Sequence, residues 1–356
     1  MMHRHFAGRH FLFLMDVVPG TEWKEPMKVV EIKRTGGPDV LDCVDRPKPQ
    51  PGPGEVLVCA HAIGVNYFDL MIRTGRYRWM PALPYVMGND MTGRVEAIGS
   101  GVQKVKIGDP VFVAGWDMNY QGGLYAEYAS VPDRAVWSLP PGLDLDQAIT
   151  LTNYQLAVIL LHDAARGVEP GTVVVYGAAG GVGTALCDVA RVAGARVIGL
   201  AGSQEKCTFV RSRGADEAID HASTPVVERV LEVTNGRGAD IVFNHVAGKT
   251  FQDDLRMLAP LGMVVSYAVI GGMPELELFK EMRSNIERSP AVRCFTMHSY
   301  DRLPERRQVA MARAIELLAS GRVRPALATP IPLAEASRAH ELLESRAAVG
   351  KVLLRP

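Results

Sequence analysis

The chain is poor in cysteine, has no surplus of either charge and holds no long apolar run. Its five cysteines, Cys43, Cys59, Cys187, Cys207 and Cys294, are scattered over 356 residues without a C-x-x-C pair. That spacing argues against a disulfide framework or a cysteine-built zinc lobe, and reads as reduced thiols of a cytoplasmic protein. The 39 basic and 39 acidic side chains cancel without blocks of one sign, so neither nucleic acid nor an anionic membrane is an expected partner. No stretch is long and apolar enough to span a bilayer. The short run Phe11–Met15 is interrupted by Asp16 and is no secretory leader, so residues 1–26 read as a poorly ordered extension. No internal repeat is visible.

Glycine is abundant where it carries information. In Thr172-Val-Val-Val-Tyr-Gly-Ala-Ala-Gly-Gly-Val-Gly-Thr184 a β-branched run, the mark of a buried parallel strand, breaks at a glycine-rich turn and passes into a helical pattern. Such a turn lets backbone N–H groups approach a pyrophosphate at the positive end of the helix. Ala185, Leu186, Val189, Ala190 and Ala193 repeat at helical spacing up to Gly194, and Ala195–Leu200 forms a second apolar strand. The unit has about 30 residues, the length of a dinucleotide-binding βαβ motif.

The end of the second strand selects the cofactor. An NAD site carries Asp or Glu there, about 20 residues past the glycines, to hold the ribose 2′-OH. Here the residues are Leu200-Ala201-Gly202-Ser203, with no carboxylate before Glu205. Missing repulsion, the Ser203 hydroxyl and the Lys206 cation together favour the 2′-phosphate of NADPH. Arg211 is a weaker candidate, and Ser203 can equally cap a helix Gln204–Arg213.

At this length two domains are expected. Residues 27–150 carry short strands (Met27–Ile32, Glu55–Ile63, Thr92–Ile98, Pro110–Ala114, Ala126–Val131) separated by turn signals, an all-β-biased unit. Residues 151–294 alternate strand and helix (Val173–Tyr176, Arg196–Leu200, Glu217–Ile219, Ala239–Asn244, Gly262–Tyr267), the pattern of a doubly wound α/β sheet. Residues 295–356 hold helices near Arg307–Ser320 and Leu333–Ser345 and a last strand at Lys351–Leu354, expected to return to the first domain.

These residues carry a family resemblance. Asn66-Tyr-Phe-Asp69 with Arg73-Thr-Gly-Arg-Tyr77, Pro84…Gly88-Asn-Asp90…Gly93-Arg-Val95…Gly99, Gly108-Asp-Pro-Val111, Gly123…Ala126-Glu-Tyr128, Ala178-Ala-Gly-Gly-Val-Gly183 and Gly350-Lys-Val-Leu353 fall in the order of the medium-chain dehydrogenase/reductase superfamily. From Met27 to the C-terminus the chain resembles its zinc-free NADPH:quinone oxidoreductase branch, which implies a GroES-like catalytic domain ahead of a Rossmann domain. Where zinc-dependent relatives carry a ligating Cys and a Gly-His-Glu, this chain has Asn66 and Gly88-Asn89-Asp90. An amide is a poor zinc ligand, and the lone His61 beside Cys59 has no ligand-like pair, so no metal is expected.

Without a Lewis acid, alcohol oxidation is disfavoured. Hydride transfer to a quinone or an α,β-unsaturated carbonyl needs only ring alignment, hydrogen bonds to the growing oxyanion and a proton. Asn66 is the candidate for orienting nicotinamide or substrate, with loop capping as its bland alternative. Tyr77 stands where related enoyl reductases carry their proton donor, or is a wall residue. The cofactor would be held by Ala178, Ala179, Gly180, Gly181, Val182, Gly183, Gly202, Ser203, Lys206, His221, Val246, Tyr267 and Lys351. Leu156 appears where relatives carry a Thr near the nicotinamide, with Asn153 or Tyr154 as substitutes. Arg73, Arg76 and Arg78 with Trp79 could line a mouth or merely form a solvated loop, and Trp116 and Tyr120 could stack on a quinone or equally pack as a loop tip. Asp69 is expected to fix its loop through backbone bonds. An enoyl-thioester reductase and a weakly catalytic NADPH-binding protein remain alternatives. The apolar edge near Gly262–Tyr267 or Pro290–Phe295, followed through a long helix Gly272–Arg288, suggests a homodimer.

Overall fold

The computed structural model describes residues 25–118 and 122–356. The expectation for residues 1–26 therefore lies, but for its last two residues, outside the described residues, as does Tyr120. Six strands, each parallel to its neighbours, run in the order Glu217–Asp220, Arg196–Ala201, Thr172–Tyr176, Ala239–Asn244, Leu258–Ser266, Ala291–Cys294. This is the doubly wound order, whose direction reverses between Thr172–Tyr176 and Ala239–Asn244, and ligands sit at the carboxyl ends of the strands on either side of that reversal. Thr172–Tyr176 is buried along its whole length, which explains its unbroken β-branched sequence.

A seven-stranded, mostly antiparallel sheet holds Glu55–Gly64 at its centre, paired with Asp90–Ile98, Tyr128–Pro132 and the C-terminal Leu353–Arg355. A smaller sheet joins Asp42–Pro47, Pro26–Ile32 and Tyr85–Val86. The chain end thus lies in the first sheet, while the preceding helix Pro304–Ala319 packs on Leu151–Ile159 and shares the core of the parallel sheet through Met311, Ala314 and Leu317. Gln155 Nε2 donates to the Arg307 carbonyl at 2.9 Å across that contact. No helix among the described residues is long and apolar enough to cross a membrane.

Two local expectations change. The proposed helix Gly272–Arg288 is only Leu278–Ser284 with a short turn Ile286–Arg288, because Gly272 takes φ +96° and Pro274 disfavours helical geometry before it. The strand expected over Gly262–Tyr267 begins earlier, at Leu258, and absorbs the extra length in a register shift against Ala239–Asn244.

Candidate active site

Asn66 ends an extended segment and caps the helix Tyr67–Arg73. Its own N–H is accepted by Asp69 Oδ2 at 2.8 Å, so Asp69 fixes the loop through the backbone. The Asn66 side chain faces the other way, into a cluster assembled from four parts of the chain. Its Nδ2 donates to Asp90 Oδ2 at 2.7 Å. Lys351 Nζ donates to Asn66 Oδ1 at 2.6 Å and to Asp90 Oδ2 at 2.9 Å, and Thr152 Oγ1 donates to Asp90 Oδ1 at 2.8 Å. The Lys351 and Asp90 side chains are 2% and 1% exposed. Burying both charges costs several kcal/mol each, offset only because every partner is in hydrogen-bonding geometry. The ammonium and the carboxylate also fix the amide orientation: a flipped Asn66 would set its oxygen against Asp90. One Asn66 amide N–H remains to donate. Gly64 makes room, since a Cβ there would lie 2.8 Å from Lys351 Cε.

Behind this cluster lies a buried second network. Asn89 Nδ2 donates to Asp69 Oδ1 at 3.1 Å, and the Tyr125 hydroxyl reaches both Asp69 and His340. Burial pushes the Asp69 carboxyl up to about 7, with repulsion from Asp90 adding to it against the pull of the Asn66 N–H. Burial, with the Arg73 cation beside it, holds the His340 imidazole down to about 3. Arg73 itself is fully buried and bonds Glu344 at 2.7 Å, so it lines no mouth. Its side chain joins the first helix to the C-terminal one, whereas Arg76 and Arg78 are exposed.

The glycine turn fits a dinucleotide. A Cβ on Gly183 would fall 2.1 Å from the Gly177 carbonyl, so only glycine allows the turn to fold against its helix, Gly181–Val192. Ala178 and Ala179 are buried and contribute backbone rather than side chain. Val182 is half-buried beside them. At the first turn of the helix the buried Asn153 presents its amide, with Nδ2 3.0 Å from where a Gly181 Cβ would stand. Asn153 Oδ1 is a buried acceptor without a protein partner, as expected of a wall that meets a polar ligand. Gly350 N–H bonds the Ala179 carbonyl at 2.8 Å, which sets Lys351, the next residue, beside the turn.

After the strand Arg196–Ala201, Ser203 caps the helix Gln204–Ser212 by accepting the Lys206 N–H. The His221 ring lies 3.5 Å from the position of a Gly202 Cβ. Lys206 Nζ donates to the Arg346 carbonyl, which ties this helix to the C-terminal segment and leaves two ammonium N–H groups. Arg211 turns away, to the Ala218 carbonyl at 2.8 Å and toward Glu217, and is withdrawn as a phosphate ligand. At the strand-order reversal, a Gly177 Cβ would stand 2.6 Å from His245 Cε1. The Tyr267 hydroxyl lies 3.3 Å from His245 Nδ1, and burial pushes His245 down to about 4. Val246 accepts the Gly271 N–H at 2.8 Å, which anchors the loop beyond it.

Tyr77 lies in an aromatic group beside the first helix. Phe68 meets it edge-on at 4.4 Å, and Trp79, Trp116 and His298 complete the wall. Burial holds the Tyr77 phenol well above its usual range, with Asp301 adding to it, so it is protonated at neutral pH. Tyr154, considered as a substitute near the nicotinamide, is instead a core residue bonded to Asp188 at 2.6 Å, and Leu156 packs with the core of the parallel sheet. Of this helix it is Thr152 and Asn153 that reach the site. Sequence reasoning missed Thr152, Asp90 as a side-chain partner, His245 and His298. Asp90 alone left a trace, as the last residue of Gly88-Asn89-Asp90.

A glycine turn at the order reversal of a doubly wound sheet, facing a polar cluster on a GroES-like β-domain, defines a two-domain nicotinamide-dependent oxidoreductase. Comparison with known proteins makes this particular. Residues 52–141 match the family model of the alcohol dehydrogenase GroES-like domain, and residues 181–313 that of the zinc-binding dehydrogenases. The quinone oxidoreductase of Sus scrofa is 33% identical over 333 residues, 92% of this chain and 97% of its own length. The crystal structure of the Pseudomonas syringae quinone oxidoreductase superposes with a TM-score of 0.83 at 31% identity, covering 93% of this chain and all of that one. The Escherichia coli quinone oxidoreductase complexed with NADPH gives 0.82 at 31% identity, over 92% and 100%. The chain belongs to the quinone oxidoreductase branch of the medium-chain dehydrogenase/reductase superfamily.

Proposed function

We propose that this chain is an NADPH-dependent reductase of quinones, acting by the same chemistry on α,β-unsaturated carbonyls, without a metal. The observation that carries the reading is the 2.8 Å bond from Gly350 N–H to the Ala179 carbonyl, which sets Lys351, Asn66 and Asp90 beside the glycine turn. When bound, NADPH supplies the hydride. The backbone of Gly180–Gly183 holds the pyrophosphate, and Ser203, Lys206 and His221 hold the 2′-phosphate. Asn66, locked by Lys351 and Asp90, offers its remaining N–H to the carboxamide or to the substrate oxygen as negative charge grows there. Tyr77 gives the proton, and Phe68, Trp79 and Trp116 supply ring faces for a flat substrate. A metal is disfavoured by the donor set, because an ammonium already bonds both Asn66 Oδ1 and Asp90 Oδ2. An added cation would meet its repulsion at contact range.

The test is NADPH oxidation with a small quinone before and after exhaustive chelation. Undiminished turnover and no oxidation of primary alcohols are expected; activity lost to chelator and restored by zinc would overturn the metal-free reading. Crotonyl-CoA in the same assay distinguishes the enoyl-thioester alternative by outrunning the quinone. Tight NADPH binding with no oxidation by any acceptor would favour a binding protein.

We also propose a cytoplasmic homodimer. Five free cysteines support the compartment, and the half-buried edge strand Ala291–Cys294, paired on one side only, supports pairing across a two-fold axis. Sedimentation at micromolar concentration tests it: a single species of monomer mass rejects the dimer. Phe295 N–H bonds inward to Ser266, so the alternate Cys294 N–H faces outward and Cys294→Pro is expected to give monomers.

A further inference from the structure

The Tyr77 hydroxyl oxygen lies 2.7 Å from His298 Nε2, although the two residues are 221 positions apart. On the far side of the ring, His298 Nδ1 lies 3.0 Å from Asp301 Oδ2. Both belong to the turn Met297–Arg302, which is capped by Thr296. Asp301 is held in turn by Arg307 at 3.3 Å, and Arg307 by Asp117 at 2.7 Å. The Trp79 ring covers the imidazole at 3.8 Å, with Arg78 lying over that indole. Among the described residues, the charged groups facing the imidazole include Asp301, with Arg307 and Asp117 behind it, and Arg78 beyond Trp79.

A carboxylate on Nδ1 keeps the proton there and turns Nε2 toward its other partner, the phenol. Tyr77 is 8% exposed, so a phenolate left there after proton donation would be poorly solvated. The His298 side chain is 16% exposed, enough to exchange protons with water. We propose that His298, oriented by Asp301, is the proton relay behind Tyr77; this rests on the reading of Tyr77 as proton donor. The substrate gains a hydride, with oxidation of the reduced nicotinamide, and one proton. The Tyr77 O–H breaks as an O–H forms on the substrate oxygen. His298 first takes a proton from water onto Nε2 while keeping the one that Nδ1 shares with Asp301. That Nε2 proton passes to the Tyr77 oxygen as the phenol proton leaves, and the neutral ring is recharged by the next proton from water. His298 is therefore a positioning and relay residue, not one that touches substrate.

The test uses the full chain with NADPH and a small quinone. Tyr77→Phe and His298→Phe are each expected to lower kcat by about 100-fold, the scale of general-acid catalysis, with KM little changed. The double variant should be no slower than Tyr77→Phe, because both remove one device. His298→Gln keeps a hydrogen bond to the phenol without carrying a proton, so it should be as slow as the Phe variant while binding NADPH normally. Added imidazole should restore His298→Ala but not Tyr77→Phe. Full turnover in His298→Gln with a slow Tyr77→Phe would sink the relay and leave Tyr77 as donor. Full turnover in Tyr77→Phe would remove donor and relay together. Losses that multiply in the double variant, without imidazole rescue, would assign His298 a purely structural role.

Discussion

The glycine turn and the polar cluster around Asn66 are neighbours, joined by the Gly350 N–H bond to the Ala179 carbonyl, and are built in opposite ways. The turn is local: Gly177 to Thr184 form one strand–helix junction, held mainly by backbone bonds such as Gly180 N–H to the Gly177 carbonyl at 2.9 Å. The cluster is convergent: Asn66, Asp90, Thr152 and Lys351 arrive from three strand or helix ends and a C-terminal bridge, with Asn66 and Lys351 285 positions apart. A local site depends on steric permission, so glycine identity governs it. A convergent site depends on mutual charge satisfaction, so removing any one member leaves another buried and unpaired.

The sharpest break of this comparison is Lys351→Met. It leaves Asp90 buried without its cation, and a loss of about 3–5 kcal/mol of stability is expected, read by urea denaturation together with a fall in turnover. An unchanged midpoint would mean that Asp90 is satisfied without the ammonium.

Next comes the adenosine end of the cofactor turn. Lys206→Ala should weaken NADPH by roughly 1–3 kcal/mol, the range for a charge-assisted hydrogen bond, and leave NADH nearly unaffected. Titration with both cofactors decides it, and equal losses would assign Lys206 to its Arg346 contact alone. Ala201→Asp should move preference toward NADH by placing a carboxylate at the ribose.

A smaller effect tests the steric half of the comparison in the stabilising direction. Ala247 sits at φ +54°, ψ −132°, a region costly for any residue with a Cβ, while Asn244 Oδ1 holds its N–H at 2.9 Å. Ala247→Gly should relieve about 1 kcal/mol of strain and raise Tm; a lowered Tm would show that unfolded-state entropy outweighs that strain.

The last effect is negligible at neutral pH and grows in acid. Burial, with Arg346 adding repulsion, holds His245 down to about 4 in the folded chain, against about 6.5 unfolded. The unfolded chain therefore binds more protons between these values, so stability present above pH 6.5 is lost as pH falls toward 4. Asp69 and Asp254, each raised to about 7 by burial, pull the opposite way, so the comparison is between the parent and His245→Asn. The variant should lose less stability over pH 6.5–4; parallel curves would place the His245 proton elsewhere.

How much could be read beforehand follows the same division. The strands Pro110–Ala114 and Ala239–Asn244 have the limits expected, because their apolar runs are bounded by turn residues. The Ser203 cap and the Asp69 bond to Asn66 were equally legible, since each spans three residues. Arg73 was not: an arginine ahead of Thr74-Gly75-Arg76 reads as exposed, and only the packing of the first helix on the C-terminal one buries it beside Glu344. Tyr154 was misread for a related reason, because helical spacing does not say which neighbour an inward-facing phenol will find.

By itself the sequence determined the doubly wound sheet, the glycine turn, the absence of a carboxylate after the second strand and the Asp69 bond that fixes the Asn66 loop. Each depends on the conformational limits of residues a few positions apart, and those limits are written in residue type. Tertiary structure alone decided that Lys351 would lock Asn66 against Asp90, that Thr152 would complete that cluster and that His298 would stand behind Tyr77. These contacts close loops of 62 to 285 residues. Their partners are chosen by sheet order and by the need to pair every buried charge, and neither leaves a period in the chain.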